Sequence, residues 1–103
     1  MNDEISSNGR EVHKYQIVSS KKYRKDLKSV VRRGCNMELM DYVVNTLASG
    51  EGLPAKYLDH ALTGNWAKYR ECHITPDWLL VYKIEKNILV LTLTRTGTHS
   101  DIF

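Results

Sequence analysis

Three β-prone runs, "WAKYRECHI", "WLLVYKI" and "ILVLTLTRT", are separated only by "TPD" and "EKN". Linkers of that length cannot cross over a sheet, so each run must lie antiparallel to the next. A β-meander is therefore imposed on the C-terminal part of the chain. Such a sheet has an apolar face to bury and needs a cover.

The cover lies upstream. In "SSKKYRKDLKSVVRRG", Tyr23, Leu27, Val30 and Val31 fall at helical spacing, with Ser20 as N-cap and Gly34 just past the end. "NMELMDYVVNTLASG" repeats the plan, with Asn36 as cap, Met40, Val43, Val44 and Leu47 as the buried stripe and Gly50 as the stop. The intervening "GCN" leaves room only for a helical hairpin. "YQIV", from Tyr15 to Val18, reads as a short first strand. Residues 51–65, "EGLPAKYLDHALTGN", contain Pro54 and two glycines and keep no period. They read as an irregular connector with a short extended piece around Leu58 to Leu62. The expected fold class is α+β, a helical hairpin packed on one face of a small, mainly antiparallel sheet. That domain spans residues 15–103, behind a polar N-terminal tail at residues 1–14.

At 103 residues and 42% hydrophobic content, the chain can bury one core without metal or disulfide staples. No apolar run approaches the roughly 18 residues of a membrane span. The N-terminus lacks the apolar region of a secretory signal, and two cysteines, Cys35 and Cys72, make no disulfide framework. A reducing cytoplasm is the expected compartment.

Strand parity places Tyr69, Glu71 and His73 on one face of their strand and Arg70, Cys72 and Ile74 on the other. On the last strand, Leu89, Leu91 and Leu93 make the apolar face, and Val90, Thr92 and Thr94 the wetter one. A sheet covered on one side leaves an open platform. Of the four histidines, His60, His73 and His99 sit at strand ends or in loops that could reach it, and His13 lies in the tail. Asp77 and Trp78 precede a strand. Taken alone they are a turn residue and a core aromatic, yet a Trp beside an Asp and near a His also resembles a base-stacking surface next to an acid–base group. Metal-ligand spacings are lacking: there is no His-x-x-x-His and no Cys-x-x-Cys, and Cys72 and His73 point to opposite faces. There is no P-loop, dinucleotide fingerprint or Gly-x-Ser-x-Gly elbow. No metal and no cofactor is expected.

The net charge of +3 hides a strong local excess. Lys21, Lys22, Arg24, Lys25, Lys28, Arg32 and Arg33 lie in one short segment opposed by Asp26 alone. Such a segment is either a solvated helix face or a contact for a polyanion.

The stretch "LPAKYLDHALTGNWAKYRECHITPDWLLVYKI" followed by "LTRTGTHSDIF" resembles the YafQ branch of the RelE superfamily of bacterial toxin–antitoxin systems. The pieces "DHALTGNW", "YRECHITPDW" and "RTGTHSDIF" stand in the family's order and spacing, from Leu53 to Phe103. The resemblance implies a ribosome-dependent mRNA endonuclease of the cytoplasm. It implies silencing by a cognate antitoxin, of ribbon-helix-helix type, in a hetero-oligomeric complex. It also carries active-site roles onto His60, His73, Asp77, Trp78, His99 and Phe103. Metal-free RNA cleavage needs a base, an acid and a group to steady the charged phosphorane, and imidazoles can fill each role near neutral pH. Trp78 and Phe103 are then expected to stack on bases, and Lys21, Lys22, Arg24, Lys25 and Lys28 to grip RNA phosphates. Two rivals stand beside this reading: a ParE-type toxin acting on gyrase, which shares the fold but lacks this histidine set, and a non-catalytic RNA-binding module.

Overall fold

The computed structural model describes residues 13–103. The expected tail lies outside the described residues except for His13 and Lys14. Elements follow in the order β1 (Gln16–Ser19), α1 (Lys21–Arg32), α2 (Met37–Ala48), β2 (His60–Ala61), β3 (Arg70–Thr75), β4 (Trp78–Glu85), β5 (Val90–Gly97) and α3 (His99–Ile102). Short 3-10 turns occupy Ala55–Tyr57 and Gly64–Trp66.

The hairpin forms where its caps place it. The Ser20 hydroxyl accepts the Tyr23 N–H at 2.9 Å, and the Asn36 side-chain Oδ1 accepts the Glu38 N–H at 3.0 Å, each satisfying a donor that the helix leaves open. Gly34 and Gly50 follow the two helices with φ of 81° and 86°, a conformation in which a Cβ would be strained. Tyr23, Val30, Met40, Val43 and Leu47 are buried. Val31, read above as part of the α1 stripe, is 54% exposed, because the stripe is narrower than the run of apolar residues.

The strands form one sheet in the order β1-β5-β4-β3-β2. β1 runs parallel to β5, and the other pairs are antiparallel. The α1–α2 hairpin covers the face carrying Cys72, Ile74, Leu80, Tyr82, Leu91 and Leu93. On the other face a smaller cluster of Leu79, Val81 and Ile102 is flanked by Leu62, Trp66 and Tyr69.

Three details depart from the sequence reading. The run "WAKYRECHI" pairs only from Arg70, and Trp66 sits in a 3-10 turn. Leu89 is not on the apolar face; it turns the β4–β5 corner at φ 55° and is 47% exposed. Thr94 is an extra residue in β5, since Tyr82 pairs with Leu93 while Val81 pairs with Arg95. This bulge reverses parity beyond it, so Thr96 enters the core at 1% exposure. The Thr94 carbonyl accepts the Ser20 hydroxyl at 2.7 Å, fixing the bulge to the start of α1.

Candidate active site

His60 reaches the open face through its neighbours. Asp59 accepts the Tyr82 hydroxyl at 2.7 and 2.8 Å and the Arg70 Nε–H at 3.2 Å, which pins the connector to the sheet. Burial, with the Asp59 carboxylate adding to it, pushes the Tyr82 phenol well above its usual range, so it remains a donor. Leu58, in the left-handed region at φ 50°, then turns its carbonyl toward the imidazole of His60, whose Nδ1 donates to it at 2.7 Å. That bond fixes the tautomer, because a carbonyl can only accept.

The other nitrogen of His60 faces Glu71. Its Nε2 lies 3.5 Å from Glu71 Oε2, and His73 Nε2 lies 3.6 Å from the same oxygen. The two rings are 6.4 Å apart between centroids. Glu71 itself is 7% exposed. A single buried carboxylate oxygen therefore stands between the two imidazoles, within ion-pair distance of each. Glu71 was not among the residues that the sequence reading assigned to chemistry. Its parity with His73 was visible, but its register opposite His60 depends on strand pairing.

His99 and Phe103 come from the C-terminal turn. Thr98 and Asp101 form a reciprocal capping box, with the Asp101 N–H donating to Thr98 Oγ1 at 3.2 Å and the Thr98 N–H to Asp101 Oδ2 at 2.8 Å. Gly97, at φ 147°, makes room for this arrangement: a Cβ there would lie 2.8 Å from Asp101 Oδ2. Arg33 clamps Asp101 from the far end of α1, at 2.7 and 3.3 Å. Arg95 binds Asp26 of α1 at 2.7 and 3.2 Å and donates to the Asp101 carbonyl at 3.3 Å. Asp26 also accepts the Thr96 N–H at 3.1 Å, closing the edge of β5 that β1 is too short to cover. His99 stands 5.1 Å from the Phe103 ring, and Trp66 meets that ring edge-on at 5.3 Å. Phe103 is 46% exposed.

These parts surround two adjoining hollows. One, of about 350 Å³, is lined by His60, Trp66, Glu71, His99 and Phe103. The other, of about 380 Å³, is lined by His73, Asp77, Thr98 and His99. His99 belongs to both. The structure thus brings together His60, His73, Asp77, His99 and Phe103 on the side of the sheet away from the hairpin. Trp78 departs from its expected place. It is 5% exposed, and its Nε1–H donates to Thr96 Oγ1 at 2.9 Å, so its ring belongs to the core instead of forming an open stacking surface. Trp66, unassigned from sequence, is the tryptophan that meets Phe103. Lys21, Lys22, Arg24, Lys25 and Lys28 are all exposed along α1. Among the described residues no three His, Cys, Asp or Glu are gathered closely enough to hold a metal ion, and no helix is long and apolar enough to cross a membrane.

A family model described as the bacterial toxin of a type II toxin–antitoxin system, YafQ, matches residues 15–103. The chain belongs to the YafQ toxin family. It is 40% identical over 88 residues to the mRNA interferase toxin YafQ of Escherichia coli (strain K12), covering 84% of this chain and 94% of that protein. A metal-bound toxin from Helicobacter pylori has the same fold at a TM-score of 0.82 and 46% identity, over 86% of this chain and 99% of the other. YafQ in the E. coli DinJ-YafQ toxin-antitoxin complex gives 0.80 and 38%, over 87% and 98%. The α+β architecture expected from the sequence is the YafQ fold.

Proposed function

We propose that the chain is an mRNA interferase: an endoribonuclease acting on ribosome-bound mRNA, restrained by an antitoxin in a hetero-oligomeric complex in the bacterial cytoplasm. Kinship to interferase toxins supports the activity, and the DinJ-YafQ complex supports the partner. The observation that carries the reading is the meeting of His60, Glu71, His99 and Phe103 around one hollow.

In this scheme the pair His60 and His73, joined by Glu71, accepts the proton of the ribose 2′-OH. The 2′-oxygen forms a bond to phosphorus as the bond to the 5′-oxygen breaks, and His99, as imidazolium, gives its proton to the departing oxygen. A 2′,3′-cyclic phosphate and a 5′-hydroxyl result. The second imidazole of the pair, protonated, offsets charge on the phosphorane. Asp77 lines the adjoining hollow with His73 and His99 and places a negative charge beside their imidazoles. Phe103, backed by Trp66, stacks on a base and holds the sugar in line. The exposed cations of α1 grip RNA phosphates.

Incubation with translating ribosomes followed by mapping of mRNA ends tests the reading. Breaks inside codons that require the ribosome are expected. Intact message, or gyrase inhibition in its place, would reject it.

A further inference from the structure

We infer that a cavity of about 370 Å³ beside the two catalytic hollows receives one nucleobase of the RNA strand, next to the nucleotide that is cut. This rests on the nuclease reading above and adds a specificity subsite to it. The cavity opens where the α1–α2 turn faces the end of the sheet, with Val30, Leu39 and the buried Trp78 as walls. Its size falls within the range of small-molecule sites, about 300–1,000 Å³.

Continuity identifies the occupant. Asp77 and Thr98 line both this cavity and the hollow holding His73 and His99. A strand laid across the histidines therefore runs directly into it. Arg33, paired with Asp101, lies at the cavity where α1 ends, and the exposed lysines earlier in that helix suit a polyanion. The lining also matches a base. Apolar walls fit its faces, and the edge groups supply one donor and one acceptor. Asn36 Oδ1 is committed to the Glu38 N–H at 3.0 Å, leaving its amide NH₂ to donate. The exposed Asp77 carboxylate makes no hydrogen bond to any described residue and accepts. Every nucleobase carries an acceptor beside a donor on its Watson–Crick edge, the edge that proteins read in unstacked RNA. Trp78, displaced from the open platform, still contributes the wall of this second position.

Cys35 lines the cavity and is half-buried, whereas Cys72 is fully buried. Burial pushes the Cys72 thiol up to about 12, so N-ethylmaleimide applied to the folded protein reacts at Cys35 alone. Each of the four nucleoside 5′-monophosphates is tested for protection of Cys35. Several-fold slower alkylation is expected with at least one of them. The alkylated protein, added to programmed ribosomes, should still cut mRNA while its preference at one position flanking the break is lost several-fold. The variant Cys35→Ser should be insensitive to the reagent. Absence of protection by all four monophosphates overturns the inference, as does an unchanged preference after alkylation. Protection seen only with the co-expressed antitoxin bound would assign the cavity to that interface and also overturn it. Protection is read without cleavage, so a protein that is protected but cuts nothing would reject the nuclease reading and leave the base subsite standing.

Discussion

Arg33 and Asp101 are 68 residues apart in the chain and meet in a two-point ion pair, 2.7 Å at one end and 3.3 Å at the other. Asp101 also caps the turn that presents His99 and Phe103. The basic helix and the C-terminal site are thus one mechanical unit.

Arg33→Gln should loosen that unit while leaving the capping box intact. Cleavage is expected to fall about tenfold, because small misplacement of a reacting group is costly, with the melting temperature nearly unchanged. The Arg33 hydrogen bond, helped by the backbone of Thr98, holds the Asp101 carboxyl below its ordinary range. Its folded value lies below the unfolded one, so the contribution is present above about pH 4 and is lost as pH falls through the folded value. The clamp is therefore closed throughout the neutral range. Carboxyl NMR should show Asp101 titrating closer to about 4 in the variant; an unshifted titration would show that Arg33 is not its partner in solution.

Glu71→Gln keeps the shape of the side chain and removes the negative charge between His60 and His73. Single-turnover cleavage should drop about 10²-fold, with thermal unfolding close to the parent. Parental cleavage by the variant would reduce Glu71 to a structural role.

His99 is exposed and its imidazole supports no core contact. His99→Ala should lower cleavage by roughly 10²- to 10⁴-fold, the usual contribution of a general acid, with thermal unfolding within error of the parent. Equal cleavage by the variant on programmed ribosomes discards the assignment.

Neutralising Lys21, Lys22, Lys25 and Lys28 together should weaken ribosome binding most at low salt. Each lost phosphate contact should lower the slope of log affinity against log salt by about 0.7–0.9. Binding measured across a salt series decides this, and an unaltered slope removes α1 from the interface.

Trp78→Ala should behave as a core deletion, costing about 3–5 kcal/mol of stability. Denaturant titration should show the loss directly. A variant of parental stability with impaired cleavage would return Trp78 to the exposed surface.

Much of this protein was legible locally. The caps at Ser20 and Asn36, the glycines after each helix and the two tight linkers of the meander act within a few residues, and backbone hydrogen bonding forces their outcome whatever surrounds them. Parity likewise put Glu71 with His73 and Cys72 with Ile74. Parity fails at Thr94, where one added residue sends Thr96 inward to meet Trp78. A bulge leaves no periodic trace, because it is selected by the partner strand and by the Ser20 hydroxyl that holds it.

What the sequence alone determined was the set of elements and the residue types available for chemistry. Tertiary structure decided which of those residues touch: Glu71 between two imidazoles, Trp66 against Phe103, and Arg33 on Asp101. Those contacts join positions far apart in the chain. They depend on register and packing geometry, which the pattern of a single segment does not encode.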